Sequence, residues 1–187
     1  MDTWVWVVIA IAVIVVIAAV AVSMARKRRT AALREQFGPE YDRTVGLAED
    51  LKPAEGELVA RRERRRGLDI RPLSSSARDG YVQAWREIQA GFVEEPASAL
   101  IQADRLVLIV MRERGYPTDD FEQRAADISV DHPRVVDHYR AAHAISYRAE
   151  AQQTDTEEMR QGFMHYRALF EDLLEVQDNQ VREAREA

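Results

Sequence analysis

The side chains of this chain best suited to chemistry cluster between Asp131 and His143: Asp131, His132, Asp137, His138 and His143. Imidazole and carboxylate are the usual ligands of zinc and iron. Their spacing here is poor for a metal. His138 and His143 are separated by about 140° around a helix and do not share a face. Asp131-His132-Pro133 reads better as a helix start, with Pro at the first helical position. Tyr139, His143 and Tyr147 do share a face, at successive spacings of four. A His between two Tyr can pass protons. The same stripe also serves as packing, its polar tips reaching hydrogen-bond partners. Asp104 stands one turn inside an apolar helix, and a buried acid is costly unless paired, so Arg124 or Arg140 is its expected partner. Asp104, His138, Tyr139 and His143 are thus the side chains of a candidate small-ligand pocket.

No residue is assigned a catalytic role, and no metal or cofactor is expected. The chain holds no Gly-rich phosphate loop, no GxSxG, no HExxH and no EF-hand loop. It has no cysteine, which removes disulfides, thiolate metal sites and cysteine nucleophiles.

A second set of residues could act through charge alone. Arg26, Lys27, Arg28 and Arg29 form one basic cluster, and Arg61, Arg62, Arg64, Arg65 and Arg66 form another. Both suit docking on anionic lipid or on an acidic partner. The second equally suits a solvated helix end favoured by the helix dipole. Nucleic acid is not expected, because no aromatic side chains interleave with these arginines to stack bases.

The first cluster follows a segment that fixes the class of the protein. Trp4 to Met24 is 21 residues without a charge. At ~1.5 Å rise per residue, a helix of that length matches the ~30 Å hydrocarbon thickness of a bilayer. The basic residues on its C-terminal flank predict an outside N-terminus and a cytoplasmic C-terminal domain, with Trp4 and Trp6 as interfacial anchors. The alternative is a cleaved signal peptide or exported domain, since Ser23-Met24-Ala25 has the small residues a signal peptidase reads. Against it, the leading residues carry no positive charge and the apolar run exceeds the ~7–15 residues of a typical signal.

Charge is unevenly spread. Residues 26–66 carry 12 basic and 8 acidic side chains, net +4, and residues 67–187 carry 14 and 23, net −9. The basic third would sit against an anionic leaflet while the acidic remainder is held off it.

Helical periodicity dominates after the anchor, and alternating strand patterns are scarce. A short helix over Thr30–Gln36 continues the anchor, Gly38-Pro39 breaks it, and a weak helix covers Glu40–Leu51. Pro53 opens a helix that ends in Arg61–Arg66 and stops at Gly67. Leu68 to Ser76 is a loop. Ala77–Val93 carries the stripe Tyr81, Trp85, Ile88, Phe92. Pro96–Arg114 holds LVLIVM (Leu106–Met111), apolar all round and so the most buried helix, and Gly115-Tyr116-Pro117 ends it. Asp119 and Glu122 cap a short helix to Ile128. The next starts at His132-Pro133 and faces inward with Val135, Tyr139, Ala142 and Ile145. Thr154 and Glu157 cap the last helix, whose stripe is Met159, Phe163, Tyr166, Phe170 and Leu173.

The predicted fold is all-α: an N-terminal single transmembrane helix followed by a four- to five-helix bundle. The predicted divisions are an anchor over 1–25, a basic juxtamembrane segment over 26–75, the bundle over 76–177 and a polar, fraying tail over 178–187.

From FGPEYDRTV (Phe37–Val45) onward the chain resembles a family of single-pass membrane proteins of actinobacteria that carries no assigned activity. The resemblance rests on WREIQAGFVEEP (Trp85–Pro96), on Ala103-Asp104, on RGYPTDDFEQRAADISVDHPRVVDHYRAAH (Arg114–His143) and on YRALFEDLL (Tyr166–Leu174). It implies a membrane location and a helical fold and adds no catalytic residue.

The expected function is a non-catalytic protein-interaction or scaffold module at the plasma membrane, with the bilayer, anionic inner-leaflet lipids and a protein as partners. The alternative is a small-ligand sensor or enzyme with its site inside the bundle, at Asp104, His138, Tyr139 and His143. Self-association through the last helix is a third use of its apolar stripe.

Overall fold

The computed structural model describes the backbone of residues 3–186 and the side chains of residues 4, 6–9 and 11–174. Among the described residues eight helices run in chain order: α1 (Thr3–Phe37), α2 (Pro39–Leu47), α3 (Leu51–Arg66), α4 (Ser75–Gly91), α5 (Pro96–Arg114), α6 (Phe121–Asp131), α7 (Val136–Glu150) and α8 (Thr156–Glu186). No strand occurs among the described residues. The chain is all-α, a long apolar N-terminal helix followed by a helical bundle. It divides into two compact units, the boundary falling between Leu58 and Val59 within α3.

In the first unit α1 is a single rod of 35 residues. It carries the apolar segment, Arg26–Arg29 and the short helix expected from Thr30 without interruption. Among the described residues it is the one helix long and apolar enough to cross a membrane, and none of its most apolar stretch is buried. Gly38 stops it with φ 47°, a left-handed conformation that glycine adopts without penalty, and Pro39 then opens α2. Leu33, Phe37, Tyr41, Ala54 and Leu58 are the buried apolar residues of this unit. Glu55 accepts hydrogen bonds from Thr30 Oγ1 (2.6 Å) and Tyr41 Oη (3.0 Å). The weak helix expected over Glu40–Leu51 is shorter: α2 ends at Leu47, Ala48 is extended, and α3 begins at Leu51. The Pro53 ring would clash with the carbonyl of residue 49 if one helix ran through.

In the second unit α8 packs along α5 and α7, α4 packs on α5, and α6 leans on α7. The stripes read from the sequence face inward: Trp85 on α4, Tyr139, Ala142 and Ile145 on α7, and Phe163, Tyr166, Phe170 and Leu173 on α8 are buried. Trp85 lies between Phe163 (centroids 4.9 Å apart) and Phe170 (4.7 Å). Gly162 allows α7 and α8 to close, since a Cβ there would stand 2.9 Å from Ile145 Cγ2. The α8 stripe is therefore used in its own core. In α5, Leu106, Val107, Val110 and Met111 are buried but Ile109 is 48% exposed, so LVLIVM has a solvent side after all.

Three helix starts differ from expectation. Asp120, not Asp119, caps α6, accepting from Gln123 N at 2.7 Å. Asp155, not Thr154, caps α8, accepting from Glu158 N at 2.8 Å, while Thr154 Oγ1 donates to the Glu158 carboxylate. His132-Pro133 does not open α7. His132 closes α6, its N–H donating to Ile128 O at 2.8 Å, and α7 begins at Val136. Buried His132 packs inward, so Pro133 lies in the turn between the helices. The backbone of α8 continues past Gln177 to Glu186. The side chains of the polar tail over 178–187 lie outside the described residues.

Candidate functional site

Several helix ends in the second unit converge on one polar cluster. Gly115 ends α5 with φ 96°. The loop after α3 crosses directly over it. Arg71 N donates to Arg114 O at 2.9 Å, and a Cβ on Gly115 would stand only 2.2 Å from Asp69 O. This crossing holds Arg114 and Tyr116 at the end of α5 beside Asp131 and His132 at the end of α6. Arg65 reaches the cluster from the end of α3, and Asp172 from α8.

His132 is 1% exposed. Its Nδ1 stands 2.5 Å from Asp172 Oδ2, and its Nε2 stands 3.3 Å from Arg114 Nη1. A guanidinium only donates, so Nε2 accepts and the proton sits on Nδ1, which donates to the carboxylate. Arg114 Nη1 also donates to Leu173 O at 2.9 Å. Asp131 Oδ2 accepts from Tyr116 Oη at 2.5 Å and from Arg65 Nε. Burial, then the Asp131 carboxylate, pushes the Tyr116 hydroxyl far above its ordinary range, so it stays protonated and donates to Asp131. One turn back on α6, buried Asp127 accepts from Arg64 Nε (3.0 Å) and Gln123 Nε2 (2.9 Å). Arg65, Arg71 and Arg114 line a cavity of about 280 Å³ together with Asp131, Ile70 and Val130.

This arrangement holds the Arg65 and Arg114 guanidinium groups in place around a small space that exposed Arg71 also lines. Its Tyr116 hydroxyl is held in a hydrogen bond to the Asp131 carboxylate. Guanidinium groups so placed are suited to pairing with oxyanions.

The sequence-predicted candidates are distributed differently. Asp104 meets neither Arg124 nor Arg140; its Oδ1 accepts from Tyr166 Oη at 2.7 Å. Arg124 Nε instead donates to Tyr139 Oη at 2.5 Å, and its Nη1 donates to Thr118 O at 2.7 Å. His143 is half-buried and stacked on Phe121, centroids 3.7 Å apart and 13° between planes. Burial lowers its pKa, with Asp104 opposing. His138 is exposed, with its Nδ1 2.8 Å from His165 Nδ1. Asp104, Tyr139 and His143 are thus electrostatic neighbours, while His138 belongs to a separate pair on the α7–α8 surface. The Tyr139, His143, Tyr147 stripe grades from buried to 72% exposed and forms no common site.

Arg26, Lys27, Arg28 and Arg29 are all exposed on α1. The second arginine cluster is mostly committed to its own fold. Arg64 and Arg65 pair with Asp127 and Asp131, Arg61 is buried, and Arg66 and Arg62 lie beside Glu63. Sequence reasoning missed Arg71, Arg114, Tyr116 and Asp172. Asp131-His132 was the visible signal. Nothing local ties it to Asp172, 40 residues away.

The chain matches no family model, no curated protein and no solved structure.

Proposed function

We propose that this is a single-pass plasma-membrane protein with its N-terminus outside, whose cytoplasmic helical domain acts as a non-catalytic interaction or scaffold module. The observation that carries this reading is α1. None of the described residues of its most apolar stretch is buried, and it passes unbroken into the exposed basic run Arg26–Arg29. An uncovered apolar surface of that length belongs in lipid. The basic flank favours retention of the C-terminal side in the cytoplasm. Continuity of α1 through Ser23–Ala25 favours an uncleaved anchor. The likeness noted above to single-pass proteins of actinobacteria points the same way.

The scaffold role is supported by a helical bundle whose sequence carries none of the familiar local catalytic motifs. The topology test is a C-terminal reporter active on one side of the membrane only. Activity on the cytoplasmic side is expected. Replacing Arg26, Lys27, Arg28 and Arg29 by Gln is expected to move part of the population to the opposite orientation. A wild-type reporter active outside would overturn the assignment.

A further inference from the structure

Three arginines from separate segments face one cavity in the second unit. Arg65 comes from the last turn of α3, Arg71 from the crossing loop and Arg114 from the last turn of α5. Asp131 is the single carboxylate among the lining residues, so the wall carries a net charge of +2. Arg114 is buried, Arg65 is partly buried and Arg71 is exposed at the rim, and like charges brought together in this way attract counter-charge. Asp131 supplies only part of it, and its Oδ2 is already occupied by Tyr116 and Arg65.

Two of the three donors are also preorganised, Arg114 and Arg65. Arg114 is 4% exposed, and hydrogen bonds to Leu173 O and His132 fix its Nη1, yet its buried Nε has no partner among the described residues. Such a group costs free energy until an acceptor reaches it or its neighbour. Asp131 steadies Arg65. Arg71 is exposed, and the hydrogen bond from its backbone N–H to Arg114 O fixes only the backbone from which its side chain reaches the cavity. Rigid guanidinium forks are the preferred partners of oxyanions, and fixing them in advance removes the ordering cost of binding.

We propose that this cavity binds a small phosphomonoester dianion. A phosphomonoester carries about −1.5 to −2 charge at neutral pH, which balances the wall, where a single carboxylate would not. The cavity of about 280 Å³ lies at the lower edge of the ~300–1,000 Å³ range of small-ligand sites, which suits a phosphate on a few carbon atoms. Ile70 and Val130 supply an apolar side for that carbon stem. The inference goes beyond the membrane reading and does not depend on the orientation of the anchor.

The test uses the full chain in nanodiscs of zwitterionic lipid at fixed ionic strength. The probes are glycerol 3-phosphate in solution, phosphatidic acid doped into the disc, and acetate as a monoanion control. Expected is a saturable rise in unfolding temperature with at least one phosphomonoester and none with acetate. A response to glycerol 3-phosphate identifies a soluble ligand, and a response confined to phosphatidic acid identifies a lipid headgroup. Arg71→Gln should weaken the response at least tenfold and leave the unliganded unfolding temperature unchanged, because this side chain is exposed. No saturable shift with either phosphomonoester, or an equal shift in Arg71→Gln, would overturn the proposal.

Discussion

Gly115 shows how one residue sets the geometry of the polar cluster. Its φ of 96° suits a helix end, and its missing Cβ leaves room for the Asp69 carbonyl. An L-residue in the left-handed region costs roughly 1–2 kcal/mol. The added methyl would also force the crossing loop away, and backbone cannot yield as a side-chain tip can. Gly115→Ala should therefore destabilise the second unit by about 2–4 kcal/mol, strain and clash together. Urea unfolding of the full chain in micelles measures this, and a loss below about 0.5 kcal/mol, the range of neutral surface changes, would contradict it. The glycine was legible as a helix stop, because Gly-Tyr-Pro marks one locally. That it also admits a second strand of backbone was not legible, because Asp69 is brought there only by the fold. His132 repeats the lesson. Its neighbour Pro133 signalled a helix boundary correctly but on the wrong side, and the pairing with Asp172 decided that the imidazole turns inward.

At the scale of elements, α7 and α8 each carry a histidine that resists protonation, His143 against α6 and His165 against α7. His143 is held below its ordinary value of 6.5 by burial against Phe121, with Arg124 adding to the effect and Asp104, Glu122 and Glu150 opposing it. His165 is also held below 6.5, by burial and then by His138 opposite. A base whose pKa is lower in the folded state takes its proton more readily when unfolded. Stability from this source is complete above about pH 6.5. It is lost as pH falls through 6.5 toward the lower folded values. The urea midpoint of the full chain should fall between pH 7.5 and 5.5, and His143→Gln with His165→Gln should flatten that fall. An unchanged slope in the double variant would remove these histidines as its source. The apolar stripes of α4, α7 and α8 were readable because period 3.6 survives any packing arrangement. Cap positions slipped by one residue, at Asp120 and Asp155, because neighbouring Asp and Thr offer the same oxygen and only the final dihedrals choose between them.

On the scale of the whole molecule, charge is divided along the chain, net +4 over residues 26–66 and net −9 beyond. The four exposed cations Arg26–Arg29 directly follow the apolar stretch of α1. Each should attract anionic lipid by ~1 kcal/mol near the surface. In nanodiscs of mixed anionic and zwitterionic lipid, the chain should enrich anionic lipid around itself, as measured by fluorescence quenching from a labelled anionic lipid. Replacing the four by Gln should abolish that enrichment. So should 1 M salt, where the Debye length shrinks to about 3 Å. Enrichment unchanged by both would refute an electrostatic origin.

The sequence by itself determined the class of this molecule: a charge-free segment long enough for a bilayer, a basic flank, and helices whose inward faces repeat with helical period. Each of these is a local property, written in neighbouring residues and independent of what lies across the fold. Tertiary structure alone decided the partners. It gave Asp104 to Tyr166 in place of an arginine, drew Arg64 and Arg65 onto Asp127 and Asp131, and joined Arg114, His132 and Asp172. Long side chains reach several candidates at similar cost, and only the packing of the helices that carry them fixes which acceptor lies within hydrogen-bond distance.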